Sequence, residues 1–262
     1  MQTQRNVLFV PHGAPTFALQ PGAAGAAMEQ VARAIAAPRA IVVISPHWET
    51  AAPTVGFATQ LETIYDFGGF DPRLYEIRYP ATGCPEAAKL VVDALQAHGF
   101  AVQQDAQRGL DHGAWIPLRQ MFPSADIPVV PLSVQTHLGP EHAYRVGQAL
   151  AALAQEGLLV IGSGNVTHNL RDYQSARMAG GQTPDYVQGF ADWVCQHMVD
   201  RDTAALLNYR QANPGGARAH PSEDHLLPLF TALGAAGPGA QPAAFYRGIS
   251  DYEIAMDGYT FH

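Results

Sequence analysis

The chain has 262 residues, of which 47% are hydrophobic, enough to bury one large core in a length that α/β folds often use as a single domain. A formal net charge of −8 argues against a nucleic-acid backbone or an anionic membrane as the main partner. No apolar run approaches the ~20 residues that span a bilayer, no basic flank leads into the first apolar segment, and Cys84 and Cys195 form neither a CxxC pair nor a disulfide framework; a cytoplasmic protein is expected.

In chain order, Val7–Val10 reads as a buried strand stopped by Pro11, with His12 and Gly13 directly behind it. The Gly/Pro/Ala-rich piece Pro21–Ala27 reads as a surface loop before a helix over Met28–Ala37. Ala40–Ile44 is a second strand and runs into Ser45-Pro46-His47-Trp48. Over Pro85–His98, apolar residues at Ala87, Leu90, Val91 and Leu95 recur at helical spacing. A strand at Ala101–Gln104 follows, then the turn Gly109-Leu110-Asp111-His112-Gly113 and a helix over Trp115–Met121. Pro128–Val134 predicts a strand, His142–Glu156 an amphipathic helix, and Leu158–Ile161 a further strand that opens into Gly162-Ser163-Gly164 and then His168. Beyond it the pattern predicts a helix over Tyr186–Val199, a loop over Asn213–Ala219 leading to His220 and His225, a helix at Leu226–Leu233 and a last strand near Ala244–Gly248. Strands alternating with helices predict an α/β fold: one three-layer α/β/α domain over residues 1–262, with a mostly parallel, mixed central sheet.

Parallel strands deliver their trailing loops to one sheet edge, where open α/β sheets place ligands, so histidines behind separate strands can converge. Imidazole is the commonest side-chain ligand of catalytic divalent metals, which makes a metalloenzyme the leading expectation. Of the eleven histidines, His98, His137, His142, His197 and His262 read as surface or structural groups. His12 and His47 stand apart because each follows a strand and a proline. His112, in a Gly-bounded turn, reads equally as a group orienting its own backbone or as part of a site. Gly162-Ser163-Gly164 lacks the last glycine of a dinucleotide fingerprint, with Thr167 in its place, and Asn165-Val166-Thr167 is a chance glycosylation sequon in a chain without a secretory signal.

These segments, together with Tyr65-Asp66-Phe67-Gly68-Gly69-Phe70, Tyr79-Pro80-Ala81 and Gly164–Leu170, resemble the class III extradiol ring-cleavage dioxygenases, in particular the 4,5-DOPA extradiol dioxygenase branch. The likeness runs from about Asn6 to Gly248 in matching order. It implies that His12, His47 and His225 hold a metal ion, that His168 is either a further ligand or the catalytic acid/base, and that His112 acts on the substrate side. Because the broader class often uses two histidines and a carboxylate, Glu223 and Asp224 stand as alternative third ligands. Ferrous iron is the implied cofactor, with a small aromatic diol and O2 as substrates, and zinc is expected to occupy the same site in purified protein. The resemblance names neither the catechol nor the oligomeric state.

Ferrous iron with three protein ligands keeps positions open for both catechol oxygens and for O2, and an imidazole of near-neutral pKa suits removal and return of a proton. Tyr65, Phe67, Phe70 and Trp48 could form an aromatic wall for the ring, with core packing as the competing reading of each. Arg73, Arg78 and Arg171 are candidates for binding one carboxylate, or are solvated surface groups. Two other functions fit the same residues: a zinc hydrolase in which His168 or Glu223 activates water, and a non-enzymatic metal-binding interaction protein.

Overall fold

Short apolar runs become strands buried on both faces, and amphipathic segments become the helices that cover them. A computed structural model describes residues 6–178 and 180–262; the first five residues of the expected domain and position 179 lie outside the described residues. The strands among them are β1 (Val7–Pro11), β2 (Ala40–Glu49), β3 (Thr54–Gly56), β4 (Gln103–Asp105), β5 (Val129–Val134), β6 (Leu158–Gly164), β7 (Pro242–Tyr246), β8 (Ile249–Ser250), β9 (Ile254–Ala255) and β10 (Gly258–Phe261). The helices are α1 (Gly22–Ala34), α2 (Pro85–Ala97), α3 (His112–Met121), α4 (Gly139–Gln155), α5 (Leu170–Met178), α6 (Asp185–Asp200), α7 (Thr203–Leu207), α8 (Tyr209–Ala212), α9 (Gly216–Ala219) and α10 (Leu227–Ala236).

Eight strands form one sheet in the order β4-β3-β5-β2-β6-β1-β10-β7, and β8 and β9 pair as a separate small hairpin. Pairing is parallel from β5 through β2 and β6 to β1, and antiparallel where β3 meets β5, where β10 meets β1 and where β7 meets β10. The period of two along each strand divides the core. Val7, Phe9, Val42, Ile44, Leu158 and Val160 join α2, α4, α6 and α10 on one face. Leu8, Val10, Ile41, Val43, Leu159 and Ile161 join α1 and α3 on the other. The result is the expected α/β architecture, a mostly parallel mixed sheet with helices on both sides. No helix among the described residues is long and apolar enough to cross a membrane.

Three local expectations are corrected. Pro21–Ala27 is not a loop, because α1 already starts at Gly22: alanine is the strongest helix former, and Ala24, Met28 and Ala32 of α1 are buried. Asn213–Ala219 ends as the single turn α9, which delivers His220 at its C-terminus. The strand placed at Ala101–Gln104 falls at Gln103–Asp105, set by pairing Gln103 with Thr54 of β3. The composition also hid β10, whose Tyr259 and Phe261 are buried and whose backbone pairs with β1.

The consequence for function is positional. The strands that precede His12 and His168, and the strand that carries His47, are the adjacent parallel trio β1, β6 and β2. Their C-terminal ends therefore open onto one edge.

Candidate metal centre

Each histidine is brought to that edge by a different device. His12 follows β1, and its backbone N–H continues the ladder to the Gly164 carbonyl at 3.3 Å. His47 lies near the end of β2, within the irregular register between Ile44 and Glu49. His112 opens α3, which Asp111 caps by accepting the Ala114 N–H at 3.1 Å. Asp111 is itself fixed by the Ser45 hydroxyl at 2.5 Å and the Arg108 guanidinium at 2.6 Å, tying α3 to β2. Glycine is needed beside it, since a Cβ on Gly113 would lie 2.5 Å from Ser45 Oγ and 2.7 Å from His47 Cδ2. Gly164 serves the other side: a Cβ there would lie 2.3 Å from the His225 carbonyl.

The histidines named from sequence converge. One ring nitrogen from each of His12, His47 and His112 lies within 4.8 Å of the others. His225 completes the group, with ring centroids 5.3 Å from His12 and 5.0 Å from His47. His168 stacks on His225 at 3.5 Å with planes 5° apart. His12 Nε2 and His47 Nε2 are 3.4 Å apart. Two imidazole nitrogens bound at about 2.1 Å to one ion, at angles between octahedral and tetrahedral, would be about 3–3.5 Å apart, so the pair fits a metal.

Hydrogen bonds fix which nitrogen of His12, His112 and His225 faces inward. Ser163 Oγ donates to the Gly113 carbonyl, so it accepts from His12 Nδ1–H at 3.1 Å, leaving His12 Nε2 as an acceptor, which the Asn165 side-chain amide approaches at 3.4 Å. Asp66 Oδ2 accepts from His112 Nδ1 at 2.9 Å and Asp224 Oδ2 from His225 Nδ1 at 2.5 Å, while His47 Nδ1 lies 3.3 Å from the same Asp66 oxygen without forming a hydrogen bond. The Nε2 atoms of His12, His112 and His225 are thereby left as acceptors by partners outside the cluster, the arrangement in which carboxylates and hydroxyls orient metal-binding imidazoles. The stacking of His168 on His225 carries a further consequence. A ligand's lone pair lies in its ring plane, and two nearly parallel planes 3.5 Å apart cannot both contain one ion.

Electrostatics agree with donor chemistry. Burial, reinforced by His225, His47 and the other neighbouring imidazoles, holds His12 well below the usual histidine range. Burial and the neighbouring His112 bring His47 down to about 4, and burial brings His168 to about 4 against the opposing pull of Asp224. Burial opposes ionisation of Asp66, but its hydrogen bonds from His112 and the proximity of the His112 and His47 rings bring it down to about 2. At neutral pH His12, His47 and His168 are uncharged and available as ligands or bases.

His47, His112, His168 and His225 line a cavity of about 490 Å³, with the fully buried His12 outside its lining, and its walls include Phe67, Phe70, Leu170, Tyr173 and the hairpin residues Asp251, Glu253 and Ile254. That size suits one small ligand. Two of the four aromatic wall candidates are absent from it. Trp48 is 7% exposed and packs beneath the Arg108 guanidinium at 5.0 Å, while the Tyr65 hydroxyl donates to the Ile77 carbonyl at 2.6 Å. The carboxylate-binding arginines are also elsewhere: Arg73 pairs with Asp71 and Arg78 donates to Tyr65, and no arginine or lysine lines the cavity among the described residues. Of the alternative third ligands, Glu223 accepts from the Tyr209 hydroxyl at 3.1 Å, and Asp224 is engaged with His225. Asp66, Tyr173 and Glu253 were missed as site residues; only Asp66, inside the quoted Tyr65–Phe70 segment, carried any sequence signal.

His220 lies outside the cluster. It is fully buried, its Nε2–H donates to the Val166 carbonyl at 2.8 Å, and burial lowers its pKa to about 4. Below the ordinary value of about 6.5 the unfolded chain takes up a proton that the folded protein refuses, so stability falls as pH drops towards 4. Between pH 7 and 5 this one group should remove about 2 kcal/mol. In urea unfolding of metal-free protein, His220→Gln, which keeps a donor for Val166, should lose about 2 kcal/mol less over that interval; an unchanged pH dependence would refute the assignment.

Residues 7–254 match the family described as the catalytic LigB subunit of aromatic ring-opening dioxygenase. Over 225 residues the chain is 41% identical to the "4,5-DOPA dioxygenase extradiol" of Beta vulgaris, covering 86% of this chain and 83% of that protein. It is 35% identical over 241 residues to the "4,5-DOPA dioxygenase extradiol" of Escherichia coli K12, covering 89% and 86%. The crystal structure of an uncharacterized protein from Escherichia coli K12 superposes with a TM-score of 0.81 at 29% identity, covering 97% of this chain and 98% of that one.

Proposed function

The chain belongs to the family of the catalytic LigB subunit of aromatic ring-opening dioxygenases and is an extradiol ring-cleaving dioxygenase; from that premise we propose that His12, His47 and His225 hold ferrous iron, that His168 is the acid/base and that His112 acts on the substrate. The observation that carries this division of labour is the parallel stack of His168 on His225, which leaves one in-plane ligand on that side of the cavity. When bound, the iron supplies the site at which a catechol and O2 are brought together and exchange electrons. The protein's residues do the rest. His168, neutral at physiological pH, accepts a proton from the bound catechol and returns it as the ring opens. Asp66 keeps the His112 Nδ1 proton pointing outward, so its Nε2 faces the reacting oxygens. Phe67 and Phe70 exclude water along the wall where the ring lies.

The wall also bears on the substrate class. Among the described residues it carries Asp224, Asp251 and Glu253 and no arginine or lysine, which favours a catechol with a neutral or cationic substituent over one bearing a carboxylate. The zinc-hydrolase and non-enzymatic readings are not favoured, as the relatives are dioxygenases over most of their length.

The test is oxygen uptake and appearance of the yellow ring-opened semialdehyde on anaerobically iron-loaded protein. An aminoalkyl catechol should be turned over with kcat/KM at least ~10-fold above that of a carboxyl-substituted catechol, since each 1.4 kcal/mol of wall preference is a factor of ten. Zinc-loaded protein should bind catechol and consume no oxygen, because zinc is redox-inert. Oxygen uptake by the zinc form, or none by the iron form with any catechol, would contradict the iron assignment.

A further inference from the structure

The segment that carries His168 is gripped from both sides by one residue of the β8–β9 hairpin. Before His168, the Thr167 hydroxyl donates to the Glu253 backbone carbonyl at 2.5 Å and accepts the Ala255 N–H at 2.7 Å. After it, the Asn169 N–H donates to Glu253 Oε2 at 2.6 Å. The same segment is held by Val166 N–H on the Ala255 carbonyl at 3.0 Å and by His168 N–H on the Ala219 carbonyl at 2.9 Å. No ring hydrogen bond of His168 is formed among the described residues, so its imidazole is placed by its backbone and by the stack on His225.

Glu253 is itself unusual. It is fully buried, its Oε1 has no hydrogen-bond partner, and it lines the cavity. A buried carboxyl left half satisfied costs stability, and the turn that delivers it holds Asp251 and Tyr252 at positive φ, +48° and +67°, which non-glycine residues adopt at a cost. Burial also pushes its pKa up to about 7. These costs sit where the hairpin touches both the cavity and the His168 segment.

We infer that Glu253 is a positioning residue that holds His168 in register with the substrate by fixing the backbone on both its flanks. The inference rests on the acid/base reading of His168. A side chain placed only by its backbone moves when that backbone shifts, and a misplacement of about 1 Å at a proton-transfer group can cost ~10²-fold in rate.

The experiment compares Glu253→Ala, Glu253→Gln, Thr167→Val and His168→Ala in iron-loaded enzyme, reading kcat, KM for catechol and metal content. Glu253→Ala should lower kcat by ~10–10²-fold with KM within about twofold and iron content unchanged. Glu253→Gln keeps an oxygen for the Asn169 N–H and should recover kcat to within about threefold of wild type. Thr167→Val cuts the other half of the grip at nearly constant volume and should also lower kcat, which decides the matter if Glu253→Ala does not fold. In a His168→Ala background, Glu253→Ala should cost nothing further. Unchanged kcat in both Glu253→Ala and Thr167→Val, or loss of iron in step with kcat, overturns the inference while a slow His168→Ala leaves the acid/base reading intact. Normal kcat in His168→Ala overturns both.

Discussion

Replacing His12 or His47 with alanine is expected to strip the metal and bring ring cleavage below detection while the fold survives. Their Nε2 atoms lie 3.4 Å apart, the spacing of two ligands of one ion, so removing either leaves too few donors to hold a divalent ion. The fold does not depend on them. Its stability lies in side chains such as Val42, Ile44, Val160 and Ile161, each fully buried and each contributing about 1.5–3 kcal/mol, whereas the histidines are buried polar groups crowded against one another. Metal analysis after reconstitution, with circular dichroism as the fold control, reads the result. The informative comparison is His225→Ala with His112→Ala, because His12, His47 and His112 form the tightest trio while His225 flanks it. His225→Ala should lose the metal; His112→Ala should keep it and lose turnover. The reverse pattern would make His112 the third ligand, and full metal content in His12→Ala or His47→Ala would remove the site from this edge altogether.

What could be read from the sequence follows from how each part is specified. The buried strands before His12 and His168, and the one carrying His47, announce themselves as local apolar runs, and the parallel-sheet rule then predicts convergence without any long-range information. The carboxylates that orient the imidazoles are different. Asp66 reaches His112 and His47 across loops, and nothing within either window marks the pair. Glu253 lies beyond the last motif, in a hairpin whose two left-handed residues are neither glycine nor asparagine, so no turn signature betrays it. β10 was hidden for a related reason: its Gly258-Tyr-Thr-Phe run is too short to stand out and is made a strand by its neighbour β1. The sequence leaves Trp48 open, and the strand decides it. Of its two readings, cavity wall or core packing, the second holds: successive strand residues point to opposite faces, and Trp48 packs on Arg108.

Substitution of His168 separates proton transfer from coordination. In the stacked arrangement the ion can lie in the plane of His225 or of His168 but not of both, and Asp224 presents His225 with its Nε2 free. His168→Gln or His168→Ala should therefore retain iron and bind catechol with little change in KM. Turnover should nevertheless fall by ~10²–10⁴, the usual contribution of a positioned general acid/base. The pH profile carries the sign. His168 is held near 4 by burial, so as a base it works above that value and loses competence as pH falls through it; in the variant this acid limb of kcat/KM should disappear. Iron content, KM and the pH profile together leave three distinguishable results. Iron lost together with activity would make His168 a ligand and displace His225. Iron and turnover both retained would pass the proton to His112, whose Nε2 is the other free imidazole nitrogen facing the cavity. Iron retained, KM unchanged and kcat down by the expected factor would leave His168 as the group that moves the proton.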